Sequence, residues 1–204
     1  MKKPDQIFYP KYSLFAVCLL TLMSLHSDAQ SVQQRNWVDT KVTYSSSAKN
    51  AIIITNSLPR GGGIVQHKGK EYQYFIFWTS ISNETPSTVE LDIKFPEINF
   101  FPSKESHFMV AFTKANMTLE KLELFDYGLT DVPSLLKSES NRLKSLGNKI
   151  VSKTAYWFYT PVFIHKTKWP VRAGLILKDK KLFYKITAGA DTVMVPCGGI
   201  KFIH

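Results

Sequence analysis

The sequence predicts an all-β fold: a two-sheet β-sandwich, immunoglobulin-like or related, with one inserted amphipathic helix near residues 132–146. Three observations carry this expectation. Apolar and polar residues alternate at period two in several short stretches, as half-buried strands require. Clusters of turn-forming residues separate those stretches. One segment instead shows helical spacing behind a capping residue and a proline. Of the 204 residues, 44% are hydrophobic and 13% aromatic, which supplies a core and excludes a disordered chain. The length fits one domain.

The chain opens with Lys2, Lys3 and Lys11, then runs uncharged from Ser13 to Leu25, then offers Ser27-Asp28-Ala29. A basic start, an apolar middle and a small-x-small exit are the marks of a secretory signal. Cleavage is expected after Ala29, leaving 30–204 as a single secreted or periplasmic domain. The apolar run is shorter than the ~20 residues of an ordinary spanning helix, and no later segment reaches that length, so the mature protein is not expected to be integral to a membrane. Cys18 lies inside the apolar run. Cys197 is then the only mature thiol, which rules out an internal disulfide.

Ala51-Ile52-Ile53-Ile54-Thr55 reads as a short strand. Leu58 to Gly63, with three consecutive glycines, reads as a flexible turn between strands. Tyr72 to Thr79 is apolar on both faces, which predicts a central strand. Ser82 to Ser87 is a turn, and Val89, Leu91, Ile93 and Phe95 alternate with Glu90, Asp92 and Lys94. Phe108, Val110 and Phe112 repeat the alternation.

The helix is expected to start at Thr130-Asp131, whose side chains offer cap oxygens, with Pro133 in the first turn. Val132, Leu135, Leu136, Leu143 and Leu146 form its stripe, interrupted at Glu139 and Ser140, and Gly147 suits a left-handed end. Beyond it, Tyr156 to Tyr159 lead into Val162-Phe163-Ile164. Alternation puts Tyr156 and Phe158 on one face and Trp157 and Tyr159 on the other. Gly174 to Leu177 and Leu182 to Ile186 flank Lys178-Asp179-Lys180-Lys181, a hairpin turn. Thr192 to Val195 and Ile200 to Ile203 are expected to pair with each other around a bend or bulge at Cys197-Gly198-Gly199.

Three stretches, Asp126-Tyr127-Gly128-Leu129-Thr130, the hairpin strands Leu175-Ile176-Leu177 and Leu182-Phe183-Tyr184-Lys185-Ile186, and Val195-Pro196-Cys197-Gly198-Gly199-Ile200, resemble an uncharacterised family of small exported proteins of Bacteroidota. The signal ending Asp28-Ala29-Gln30 is similar too. The resemblance implies bacterial export and a β-rich domain. It brings no activity and no site residues.

The formal charge of +10 is uneven. Residues 30–136 hold 10 basic and 11 acidic side chains, whereas 137–204 hold 13 and 3. Such asymmetry marks either a charged partner or lysines that interleave in space with acids from the first half. Export makes nucleic acid the poorest candidate and leaves an anionic glycan or envelope surface. The aromatic-cationic stretch supplies the candidate ligand residues Trp157, Lys166, Lys168, Trp169, Arg172, Lys180, Lys181 and Lys185: ring faces stack on sugars while cations hold carboxylate, sulfate or phosphate. An edge strand pairing with another protein is a further expected partner mode.

Signals for catalysis are weak. No His-x-His, His-Glu-x-x-His or Cys-x-x-Cys spacing occurs, so no metal or cofactor is expected. Ser134-Leu135-Leu136-Lys137 matches Ser-x-x-Lys, but so does Ser46-Ser47-Ala48-Lys49, and the companion motifs of penicillin-binding enzymes are missing. Cys197 has no base beside it in sequence. The leading expectation is a non-enzymatic binding or structural module of the envelope or extracellular space. The alternatives are a binder of anionic glycan or lipid headgroups through the basic C-terminal third, and a small hydrolase using Ser134 and Lys137.

Overall fold

A computed structural model describes residues 37–47, 50–95, 107–165 and 170–203. The signal segment and Lys166, Lys168 and Trp169 lie outside the described residues.

Thirteen strands among the described residues form two main sheets and one small one. In chain order they are β1 (Val38–Ser47), β2 (Asn50–Ser57), β3 (Arg60–His67), β4 (Lys70–Asn83), β5 (Thr88–Ile93), β6 (His107–Val110), β7 (Phe112–Thr113), β8 (Arg142–Leu143), β9 (Leu146–Ile150), β10 (Thr154–His165), β11 (Val171–Lys178), β12 (Lys181–Ala188) and β13 (Asp191–Ile203). The first sheet runs β1-β2-β4-β10-β6, the second β11-β12-β13-β5-β9, and all pairings are antiparallel. This is the expected all-β sandwich.

β4 is the central strand that its two-faced apolar pattern predicts. Phe75, Phe77 and Ile81 enter the main core between the sheets, where they meet Val89, Leu91, Leu175, Leu182 and Ile186. Ile76 and Trp78 join a second core on the outer face of the first sheet. β10 divides in the same way: Phe158 and Val162 face inward, Tyr159 and Phe163 outward. Fully burying a side chain of this size contributes about 1.5–3 kcal/mol, so the two cores dominate stability. The outer core is roofed by residues 113–141, through Met117, Tyr127, Leu129, Val132, Leu135 and Leu136.

Three expectations are corrected. The helix, α1, begins at Val132 with Pro133 in its first turn, but it ends at Lys137. A 3-10 turn at Glu139–Asn141 follows, and Leu143 and Leu146 then pair in strands with Phe112 and Ile93. Asp131 caps without its side chain, in left-handed geometry (φ 52°). The glycine run is not a turn. It lies inside β3, which continues the line of β2 along one edge of β4, with a register shift between Gly61 and Ile64. Gly63 is needed there because a Cβ would lie 2.6 Å from the Tyr74 ring. Finally, the two C-terminal segments do not pair with each other. They are one strand, β13, held between β12 and β5, with Cys197 as the extra residue of a bulge.

The turns follow local chemistry. Lys68-Gly69 and Asp179-Lys180 are two-residue hairpin loops with φ of 49° and 72°, and 50° and 61°. Positive φ at both positions matches the right-handed strand twist. Asn83 organises the Ser82–Ser87 turn: its carboxamide donates to the carbonyls of Ser87 and Ile150 at 2.8 Å each and accepts from Thr85 N–H at 3.0 Å.

Candidate ligand-binding surfaces

The outward face of the second sheet collects the lysines of the C-terminal third. Along β12 the buried residues are Leu182, Tyr184, Ile186 and Ala188, so Lys181, Phe183 and Lys185 point outward. Their cross-strand partners complete the face. Ile176, Phe183 and Pro196 stand in one row, Gly174, Lys185 and Met194 in a second, and Lys178 opposes Lys181. An apolar strip therefore crosses three strands, with Lys178 and Lys181 on one side and Lys185 on the other. No acid points outward from β11, β12 or β13 between Arg172 and Pro196. Acids from the first half reach only the neighbouring strand β5, where Glu90 stands between Lys201 and Lys149, and Asp92 between Gly199 and Gly147. The interleaving of charge is thus confined to one end of the sheet.

The other candidate residues separate from this face. Arg172 is held by Asp39 of β1 at 3.1 Å and donates to its neighbouring carbonyl, Val171 O, so it clips the two sheets together. At this exposure the pair contributes no more than about 1 kcal/mol. Trp157 lies on the far side of the sandwich, packed on Trp78 at 4.9 Å in the outer core. Lys180 sits in the β11–β12 turn with its ammonium 5.8 Å from the Phe202 ring centroid.

That turn borders a groove of about 990 Å³ at one end of the sandwich. Ile52, Leu177 and Thr85 line it as buried residues, half-buried Tyr44 and Phe202 flank it, and Pro86, Ser87, Asp179, Lys180 and Lys201 also border it. A second trough, of about 660 Å³, has Gly147, Gly198 and Gly199 along it, and Glu90, Asp92, Lys149 and Lys201 around it, so its charges balance.

Sequence reasoning missed a cluster under the roof. The Arg60 guanidinium stacks 3.7 Å from the Trp37 ring and 4.4 Å from that of Tyr127, and donates to the Leu124 carbonyl. Asp126, Tyr127 and Gly128 are consecutively left-handed, with φ of 49°, 53° and 68°. Burial pushes the Asp126 carboxyl above its ordinary value, opposed by Arg60 and the Gly61 N–H. Tyr127 donates to Leu58 O at 2.7 Å and receives Tyr159 on its own carbonyl at 2.6 Å. These bonds pin the roof to the first sheet. The sequence signal was only the coincidence of Arg60, Asp126 and two aromatics, which local patterns do not connect.

The candidate nucleophiles have structural partners. Ser134 donates to Asp131 O at 2.8 Å, closing the first turn of α1, while Lys137 is exposed at its end. Cys197 is buried, and desolvation pushes its thiol up to about 12. A thiolate is the reactive form, so native protein at pH 9 is expected to resist a thiol-exchange reagent such as Ellman's reagent until denaturant is added. Stoichiometric labelling of the native chain within minutes would contradict this burial. Among the described residues, no group of three His, Cys, Asp or Glu could hold a metal ion, and no helix is long and apolar enough to cross a membrane. No protein-family model, curated protein or solved structure matches the chain.

Proposed function

We propose that the protein is an exported, non-enzymatic β-sandwich module of the cell envelope or extracellular space, and that it binds anionic glycan or lipid headgroups through the outward face of its second sheet. One observation carries the reading: Lys178, Lys181 and Lys185 border the Ile176–Phe183–Pro196 strip, and the acid beside them, Asp179, lies in the turn and not on a strand of that face. An anionic surface gains from such a face twice, by charge attraction and by apolar contact with Phe183 and the half-exposed Met194. Export rests on the signal pattern at 1–29, and the sequence motifs support membership of the exported Bacteroidota family that they resemble.

The test is retention of the protein on a uronic-acid polysaccharide and on vesicles containing phosphatidylglycerol, at low and high salt. Each lysine near an anionic surface contributes about 1 kcal/mol, so Lys181→Glu with Lys185→Glu is expected to weaken binding at least ~tenfold. High salt is expected to abolish it. Binding that ignores both salt and the double charge reversal overturns the reading. A second reading has one observation in its favour. Among the described residues, five strands of the main sheets have one unpaired side, β1, β3, β6, β9 and β11; β1 is the longest of them and Asp39 to Thr43 are exposed along it, so it offers an edge to an added strand of a partner protein.

A further inference from the structure

We propose that the groove at the end of the sandwich is a binding site for a free single-chain anionic amphiphile, a carboxylate head on an apolar tail. This rests on the groove itself and is independent of the outward face of the second sheet. The groove opens where the two sheets part, beside the β11–β12 turn. Its buried lining residues Ile52 and Leu177 belong to the main core. Tyr44 and Phe202 pack against that core but are only half-buried, so they leave apolar ring surface turned to the open space. The chain's own described side chains do not fill it. At about 990 Å³ it is at the upper end of the range of small-molecule sites, roughly 300–1,000 Å³.

The chemistry of the mouth selects the head group. Lys180 lines the groove and holds its ammonium over the face of Phe202. In that position an ammonium is offset from bulk water by the ring and has donors left for a carboxylate. Asp179 and Lys201 line the groove as well, so its charged lining is two cations and one anion, with a net positive charge. A cationic head would meet net repulsion and a neutral head would gain nothing from Lys180. The tail gains by leaving water along Tyr44, Leu177 and Phe202, at roughly 25 cal/mol per Å² of apolar surface removed. Phosphate heads share this charge logic, but a diacyl lipid in a bilayer would have to bring its headgroup plane to the outward face as well. The single-chain acid needs the groove alone.

The experiment titrates dodecanoate, below its micelle concentration, into the full chain by calorimetry and follows backbone amide shifts. Dodecyltrimethylammonium and acetate serve as probes of tail alone and head alone. Saturable binding of dodecanoate is expected, with shifts at Tyr44, Leu177 and Phe202. Its affinity should exceed that of dodecyltrimethylammonium by at least about tenfold, with acetate not saturating. Lys180→Glu, an exposed turn substitution, is expected to reverse the preference, whereas Lys181→Glu with Lys185→Glu leaves it in place. The double variant therefore separates failure of surface binding from failure of groove binding. Equal affinity for both chain ions, shifts confined to residues away from the groove, or absence of saturable binding overturns the proposal.

Discussion

Replacing Gly198 with alanine is expected to destabilise the fold by ~3–5 kcal/mol, the larger of the single-residue effects that the sheets imply. At this position φ is +137°, and an added Cβ would lie 2.0 Å from the carbonyl oxygen of Asp92. Both sides of that clash are backbone, so no side chain can turn away. A non-glycine residue at such a φ costs of order 1–3 kcal/mol, and overpacking against fixed atoms a similar amount. The clash falls at the point where β13 changes register against β12 while keeping step with β5. Relief would require β5 and β13 to separate, and with them the burial of Leu91, Ile93 and Ile200. Gly69→Ala is the control, since its φ of +72° is also positive but nothing lies within 4 Å. It is expected to cost about 1–2 kcal/mol, the ordinary strain of a left-handed L-residue. Urea unfolding with an unchanged slope measures both. A Gly198→Ala midpoint within the range of Gly69→Ala would show that the bulge moves aside and that the Asp92 carbonyl is no fixed barrier.

Much of the sandwich was legible because strand burial writes itself into alternation. Val89, Leu91 and Ile93 are all inward, and the two-faced run from Tyr72 to Thr79 is the central strand. The Asp179-Lys180 loop was legible for the same reason, as a polar step between two apolar runs. What failed depends on neighbours distant in sequence. Leu143 and Leu146 sit at helical spacing, yet Phe112 and Ile93 claim them for strands, and no local pattern reveals those partners. The three glycines of β3 look like a turn until the Tyr74 ring is seen lying against Gly63. Cys197 to Gly199 look like a bend until β12 and β5 are found on both sides of them.

The candidate site divides in the same way. Lys181 and Lys185 share a face with Phe183 because they are two residues from it on one strand, and that much is arithmetic on the sequence. Trp157 belongs to the opposite side of the molecule, because β10 joins the first sheet and β12 the second. Nothing in either strand's own residues says so. Arg172 is taken by Asp39, and Lys180 meets Phe202, through contacts made only when distant strands come together. The sequence therefore identified which residues carry charge and aromatic surface, while the pairing of strands decided which of them could act together.

Asn56→Ala is expected to cost ~3–4 kcal/mol and to lower the melting temperature by roughly 10 °C for a domain of this size. Asn56 is buried in β2, yet its carboxamide is saturated. It donates to Leu175 O at 3.1 Å and Thr40 Oγ1 at 3.0 Å, and accepts from Leu175 N–H at 2.9 Å and Thr79 Oγ1 at 3.0 Å. Both bonds to Leu175 imitate a strand partner, so one side chain of the first sheet caps the edge of the second. Removing it leaves the Leu175 N–H and carbonyl buried without partners, and each such orphan costs about 1–3 kcal/mol. Thr40 lies at the exposed edge and recovers water. Asn56→Asp is expected to be worse than alanine at neutral pH, because a carboxylate cannot donate to Leu175 O. The neighbouring glycine supplies an independent check. A Cβ at Gly174 would lie 2.6 Å from the Asn56 Cγ, so Gly174→Ala should be costly in the native background and milder once Asn56 is alanine. The two substitutions are expected to couple by about 1 kcal/mol or more in a double-mutant cycle. Costs that simply add, within about 0.5 kcal/mol, would mean that Gly174 is small for some reason other than the carboxamide lying across it.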